Sequence, residues 1–384
     1  MTLSKIKLLK KRRVLVISAG GIQSGIHVLY AGFENGGWEI YSKALLPYPQ
    51  KVSELIVRLS ETQEPVALSE IGWLDYKMTT LFLESANSAL SAAPKAFGEP
   101  HYAVLHKPTL WKGDTGESLQ QHIWNLTFGD ELYLANALDV PVLTEFLRHN
   151  ILAGGPGVLP TMLGNLSIAK HLTGVNVFVN IGLVSRMAII DKRTNTQLLE
   201  SDAGPGTVLI DKCAKEAGCP EGFDRDGQLA SQGQAVSACM EILAADPWIT
   251  KAAPKQASPE ILARILDYPC LKPLSHIDRL ATITALTAKS VYDFYRREYR
   301  EPDPPKAVWV SGGGVNNLAL MDFIKTSFDP IPVKSVEELN IPVDMKIPLT
   351  LGLTVDAFIM GEEFPWESGP NPKVNPLCRC TMPV

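Results

Sequence analysis

The sequence predicts an α/β protein made of two related lobes with a central cleft, and three observations predict it. An apolar three-stranded meander occurs over residues 14–41 and again over residues 175–200, about 160 residues later; that spacing is too long for a solenoid repeat and suits a duplicated lobe. Three glycine-rich turns each follow an apolar strand. Segments of helical periodicity separate the strands. At 384 residues the chain has room for two or three domains of about 100–200 residues each. The expected division is an N-terminal lobe over residues 1–135 and a C-terminal lobe over residues 136–384.

The first strand is V-L-V-I-S, residues 14–18, and it enters a turn at residues 19–25 that holds Gly20, Gly21 and Gly25. The chain resumes as an alternating strand at residues 26–33, turns through Glu34-Asn35-Gly36-Gly37, and starts a third strand at Trp38. Residues 53–59 and 71–92 read as helices. The second meander uses residues 175–180, a turn at 181–185, a strand at 186–190, a polar turn at 191–195 and a strand at 197–200. Residues 278–299 set Ile283, Leu286, Val291, Phe294 and Tyr295 at amphipathic spacing. The run Glu301-Pro302-Asp303-Pro304-Pro305 stops that helix, because proline has no N–H to continue it. Residues 308–314 read V-W-V-S-G-G-G, a strand into glycines, before a helix at 318–328 for which Asn316 or Asn317 is a suitable N-cap. Residues 364–384 carry five prolines and are expected as irregular coil.

Composition narrows the function. A hydrophobic content of 46% and a charged content of 20% are ordinary for a globular protein with a sizeable core. A formal net charge of -5 favours neither nucleic acid nor an anionic membrane as partner. The basic run Lys5, Lys7, Lys10, Lys11, Arg12 and Arg13 reads as a solvated tail leading into the first strand. No run of about 18 apolar residues is present, and the N-terminus lacks the apolar core of a secretory signal, so a cytoplasmic location is expected. The six cysteines are scattered, which is no disulfide framework. Cys378 and Cys380 lack a second Cys/His pair at zinc spacing, so no metal site is assigned to side chains.

The glycine turns are the places where chemistry can sit. A strand that runs into glycines offers backbone N–H groups to phosphate oxygens, because no Cβ blocks the approach. Such turns occur at residues 20–25, at Asp202-Ala203-Gly204-Pro205-Gly206-Thr207, and at Gly312, Gly313 and Gly314. The first is not a dinucleotide fingerprint, since its glycine spacing differs from G-x-G-x-x-G and a strand rather than a helix follows. A hairpin whose turn holds phosphate is instead what actin- and hexokinase-like folds use. Asp202 precedes Gly204-Pro205-Gly206 at the end of a strand, where its carboxylate can take a proton from a nucleophile; capping the helix that begins near Val208 is its structural alternative. Asp211 lies one turn into that helix, and Asp224-Arg225-Asp226-Gly227 has turn composition.

In order along the chain, these residues resemble a known family. Residues 202–207 are similar to F-D-T-G-P-G-N, and Phe223-Asp224-Arg225-Asp226-Gly227 with Ser231-Gln232-Gly233 to Y-D-x-x-G…A-S-G. Asp278 through Ala288 is similar to D-x-x-A-T-L-T-x-L-T-A, and Ser311-Gly312-Gly313-Gly314-Val315-Asn316-Asn317 to C-G-G-G-A-x-N. Residues 126–130, 153–157 and 180–182 resemble L-Q-x-G-D, A-A-G-G-Q-G and N-I-G-G. The ordered set resembles the anhydro-N-acetylmuramic acid kinases. That resemblance implies an actin-like ATPase fold of the ribonuclease H-like type, duplicated, with ATP and Mg²⁺ as cofactors and a small anhydrosugar as partner. It implies a reaction in which water attacks the anomeric carbon and opens the 1,6-anhydro bridge while the freed O6 takes the γ-phosphate. Asp202 matches the base. Ser18, Gly20, Gly21, Gln23, Gly25, Gly182, Gly204, Gly206, Gly312, Gly313, Gly314 and Asn317 match the nucleotide site, and His106, Thr109, Asn150, Gly154 and Gly155 the sugar site. The resemblance also allows a homodimer, although no segment marks an interface.

The sequence departs from the family pattern at several of these positions. The first loop, G-T-S-x-D-G-x-D in the family, has Gln23 and Ile26 in place of its acids. H-G-Q-T becomes His106-Lys107-Pro108-Thr109, and D-F-R-x-x-D becomes Glu145-Phe146-Leu147-Arg148-His149-Asn150. Leu183 and Arg186 replace a Gly and an Asn, Pro254-Lys255 and Glu260 remain of P-K-x-T-G-R-E, and a late glutamate aligns near Ile347. These departures keep two other readings open: a catalytically impaired relative that binds an altered ligand, and another enzyme of the actin-like class.

Overall fold

The structure, a computed structural model, describes residues 2–19, 25–61, 65–114, 123–153, 157–362 and 377–384. The chain divides into two compact units, one formed by residues 1–168 with 347–384 and the other by residues 169–346. The division expected at residues 135/136 lies elsewhere for two physical reasons. The strand at Val142–Thr144 completes the first sheet, and the helix Lys346–Met360 returns to it, seating Gly352 against Val16 and Phe33.

The first unit opens with β1 (Arg12–Ala19), β2 (Ile26–Glu34) and β3 (Gly37–Leu46), an antiparallel meander. β4 (Tyr102–His106) lies parallel to β1, and β5 (Thr109–Asp114) pairs with β6 (Ile123–Thr127) in a separate ribbon. β7 (Val142–Thr144) lies parallel to β4, and the terminal strand Arg379–Thr381 closes the edge antiparallel to β7. The second unit repeats the plan. β8 (Val175–Ile181), β9 (Val184–Asp191) and β10 (Thr196–Pro205) form a meander, β11 (Ala307–Ser311) lies parallel to β8, and β12 (Val333–Ser335) parallel to β11. Both sheets therefore run third-second-first-fourth-fifth, with the first three strands antiparallel and the first, fourth and fifth parallel. This is the ribonuclease H-like order of actin-type ATPases, present twice.

Each sheet is covered by helices whose apolar stripe matches its apolar face. In the first unit Leu15, Ile17, Val28 and Tyr30 pack with Leu74, Met78, Leu81 and Phe82 of the helix Leu68–Ala92. In the second, Val177, Val179, Met187, Ile189, Val308 and Val310 pack with Ile283, Leu286, Val291 and Phe294 of the helix His276–Glu298. Each such side chain contributes roughly 1.5–3 kcal/mol when removed from water.

Three expectations change on the structure. The basic run is not uniformly solvated: Arg12 is 3% exposed, and its Nε and Nη2 donate to the two oxygens of Asp356 at 2.6 and 2.9 Å. The Tyr102 hydroxyl donates to the same carboxylate at 3.0 Å, so the buried pair is closed by a further hydrogen bond. The C-terminal residues are not coil throughout, because Arg379, Cys380 and Thr381 supply edge pairing to β7. Cys239 and Cys270 form a disulfide, because the helix Ser237–Ala244 and the turn Pro269–Leu271 bring their Cα atoms to 5.4 Å, a separation that sequence spacing does not report. No helix among the described residues is long and apolar enough to cross a membrane.

Candidate active site

In the second unit, four strands contribute one residue each to a single cross-strand row: Asp202 on β10, Arg186 on β9, Asn180 on β8 and Ser311 on β11. Their neighbours Ala203, Met187, Val179, Ile181 and Val310 belong to the apolar core, so by strand alternation the row faces the opposite, polar side. The Ser311 hydroxyl donates to Asn180 Oδ1 at 3.1 Å, and Arg186 Nη2 donates to Glu200 Oε1 at 3.3 Å.

Asp202 lies inside a strand that continues to Pro205, and it does not cap the following helix Thr207–Glu216, whose N-cap is Gly206 with no side-chain cap. The carboxylate is 9% exposed. Its Oδ2 accepts the Ala257 N–H at 2.8 Å, and the Asp202 N–H donates to the Lys255 carbonyl at 3.3 Å. Lys255 is 3% exposed; its Nζ donates to the carbonyls of Trp248 and Ile249 at 3.1 and 2.9 Å and lies over the rings of Trp248 and Phe294. Burial pushes this amine down to about 7, Arg297 adds to the effect, and the charge of Asp202 opposes it. Lys346, buried against Phe178, is pushed down to about 8 by burial, with Glu200 opposing. Asp211 is pushed up to about 6 by burial, against a hydrogen bond from Thr207.

The predicted glycines gather at the same end of this sheet. The N–H groups of Gly206 and Val208 donate to the Leu183 carbonyl at 3.2 and 3.3 Å, and that of Thr207 donates to the Gly182 carbonyl at 2.8 Å. The turn between β8 and β9 thus holds the start of the helix, and a Cβ on Gly206 would run into the Gly182 carbonyl oxygen. Gly204 packs on Ser290. Gly312 has φ +87°, and a Cβ there would stand 2.5 Å from the Ile181 oxygen, so both conformation and space require glycine. Gly314 rests on the Ile181 side chain, whereas no atom lies within 4 Å of where a Gly313 Cβ would stand. Asn317 caps the helix Leu318–Phe328 by accepting the Leu320 N–H at 2.9 Å. The Asp224 turn forms as expected, its carboxylate accepting the N–H groups of Leu229 and Ala230 at 2.9 and 3.0 Å.

The first unit carries the remaining predicted residues. Ser18 Oγ and His106 Nδ1 are 3.1 Å apart at the ends of β1 and β4. Burial pushes the His106 imidazole down to about 4, so it is neutral at physiological pH. Thr109 opens β5 opposite Thr127, and Gly25 directly precedes β2. Asn150 Oδ1 accepts the N–H groups of Gly157 and Val158 at 2.7 and 3.0 Å, which fixes the chain after its helix. Gly20, Gly21, Gln23, Gly154 and Gly155 lie outside the described residues.

The sequence reading passed over several charged groups. Lys107 Nζ lies 3.1 Å from Glu131 and 2.5 Å from Glu145, with all three side chains buried. The signal was the lysine in His106-Lys107-Pro108-Thr109, placed where an apolar strand ends. Lys255 was visible as a remnant of a motif, without any hint that it lies beneath Asp202.

Comparison with known proteins decides the family. A model of the anhydro-N-acetylmuramic acid kinases matches residues 12–361. The chain belongs to the anhydro-N-acetylmuramic acid kinase family. It is 27% identical over 321 residues to an anhydro-N-acetylmuramic acid kinase of Cyanothece sp., covering 80% of this chain and 82% of the relative. It is 32% identical over 244 residues to one of Rhodopseudomonas palustris, covering 63% and 60%. Among solved structures it is similar to component A of the (R)-2-hydroxyglutaryl-CoA dehydratase of Acidaminococcus fermentans, at 12% identity, 90% and 99% coverage and a TM-score of 0.45. The family is one of phosphotransferases.

Proposed function

We propose that this protein is an ATP-dependent anhydrosugar kinase in which Asp202 is the general base. A water molecule gives its proton to the Asp202 carboxylate and attacks the anomeric carbon. The bond from that carbon to O6 breaks, and O6 becomes the nucleophile for phosphoryl transfer. ATP supplies the γ-phosphoryl group. The observation that carries this reading is a buried carboxylate oriented by the Ala257 N–H at the same sheet end as the glycine turns. The open space at Gly313 fits a phosphate oxygen, and the Gly312, Gly313 and Gly314 turn would hold the nucleotide. No three His, Cys, Asp or Glu side chains gather as a metal site among the described residues. Mg²⁺ would arrive on the nucleotide phosphates, which supply most of its ligands in such sites. A cytoplasmic location goes with that use of ATP. Neutral His106 and Thr109 would contact the sugar.

Incubation with MgATP and 1,6-anhydro-N-acetylmuramic acid or 1,6-anhydro-N-acetylglucosamine in isotope-labelled water tests this. ADP, a phosphate on O6 and label on the anomeric carbon are expected. Absence of ADP with either sugar sinks the reading and leaves the ligand-binding relative, which the replaced acid at Gln23 favours.

A further inference from the structure

A small cavity at the C-terminal ends of β4 and β7 adjoins His106, matched above to the sugar, and adds charged groups to which the reaction above gives no role. Leu105, His106, Lys107, Asn125, Glu145 and Leu147 contribute to its lining, all from the first unit. It has room for about one water-sized group. Lys107 is 9% exposed, and two of its three N–H groups are taken by Glu131 and Glu145. The outer oxygens of that trio meet Arg379 Nη1 at 3.1 Å, from Glu131, and Arg148 Nε at 3.4 Å, from Glu145.

The cavity wall carries acceptors that make no hydrogen bond. Asn125 is 2% exposed, and its Oδ1 makes no hydrogen bond among the described residues; Glu145 Oε2 makes none either, but it is ion-paired with Arg148. The Thr109 hydroxyl, at the start of the adjoining strand, is buried without a partner as well. A buried acceptor left unpaired is costly, and a group that brings a proton to Asn125 Oδ1 removes that cost. A carboxylate brings none at neutral pH and would face Glu145. A neutral hydroxyl brings one, and its oxygen can accept the third N–H of Lys107.

We propose that this cavity is a specificity subsite that takes one hydroxyl of an uncharged anhydrosugar and discriminates against a sugar carrying a carboxylate there. The hydroxyl donates to Asn125 Oδ1 and accepts from Lys107 Nζ. Lys107 is held for this task by Glu131 and Glu145. The assignment rests on the kinase reading and adds the class of sugar to it.

The test uses 1,6-anhydro-N-acetylglucosamine and 1,6-anhydro-N-acetylmuramic acid, which share a ring and differ by the lactyl carboxylate. Titration calorimetry on the full chain without nucleotide is expected to show the uncharged sugar binding at least about tenfold tighter. Asn125→Leu is expected to weaken that sugar about tenfold and leave the acid unchanged, with circular dichroism checking the fold. Leu147→Lys, which adds a cation at the wall, is expected to narrow the preference whether or not Asn125→Leu folds. Equal or tighter binding of the acid, binding of neither sugar at millimolar concentration, or an Asn125→Leu variant that folds and affects neither would overturn the proposal. The last result would mean that the cavity holds solvent only. ADP release separates the two claims. A binding preference without ADP removes the kinase reading alone, and equal turnover of both sugars removes the subsite alone.

Discussion

The two sheets repeat one strand order, and the comparison between them is sharpest in a single row. In the first unit the row runs Leu45, His27, Ser18 and His106 across β3, β2, β1 and β4. In the second, the same strand positions hold Asp202, Arg186, Asn180 and Ser311. Both rows are joined between first and fourth strands at 3.1 Å, but the serine has changed sides, from β1 in one unit to β11 in the other. The third-strand residue differs most: Asp202 is buried, and Leu45 is 53% exposed. The duplicated scaffold supplies positions, and at this one a buried carboxylate in one copy stands where the other has an exposed leucine.

The largest test of that difference is Asp202→Asn beside Leu45→Ala. Loss of the base is expected to lower kcat by about 10³-fold, with sugar KM nearly unchanged, while Leu45→Ala stays within about twofold. Steady-state ADP release reads both, and similar losses would break the comparison.

A second contrast concerns buried acids. Asp356 in the first unit faces Arg12, which is itself buried, whereas Asp246 in the second faces Arg264, whose side chain is 51% exposed and can return to water. Asp356→Ala is expected to cost about 3–5 kcal/mol in urea unfolding. Asp246→Ala is expected to cost about 1–2 kcal/mol, mostly for the Trp248 N–H and Tyr268 hydroxyl it leaves unpaired. Equal costs would show that exposure of the cation does not decide.

A third contrast is in pH dependence, which falls at lower pH in the first unit than in the second. His106 titrates near 4 when folded and about 6.5 when unfolded, so the unfolded chain holds more protons between those values. Stability is therefore lost as pH falls from about 6.5 toward 4, by up to about 3 kcal/mol, and His106→Gln should flatten that limb. Lys255 near 7 in the fold does the same at higher pH: stability rises as pH climbs from about 7 toward 10, and Lys255→Met should remove the rise. Unfolding curves across this range check both limbs.

Local pattern made much of this legible. The two meanders were visible because alternation survives in the sequence, and the helix Leu68–Ala92 was found within three residues of its start. Asp202 stood out because an acid precedes Gly204-Pro205-Gly206 at the end of an apolar strand. What holds it did not, since Ala257 arrives 55 residues later. The burial of Arg12 was hidden for the same reason at greater range, its partner lying 344 residues away. The Gly206 turn shows a subtler limit: glycine there reads as a phosphate loop, yet the Gly182 carbonyl already excludes a side chain. Lys107 and Glu145 stood out as departures from the family pattern, but their meeting with Glu131 did not, because charges at three separated positions carry no sequence period.

The interruption of the first unit by residues 169–346 sets a timetable for synthesis. The inserted unit is continuous and can fold once the ribosome has released it. The earlier half-sheet must wait for Asp356 to satisfy Arg12, and for Arg379–Thr381 to cover β7. At translation rates of about 5–20 residues per second, the chain between β7 and Arg379 leaves that edge uncovered for roughly 10–50 s. Apolar surface left open during synthesis therefore belongs to the beginning of this chain rather than to its end.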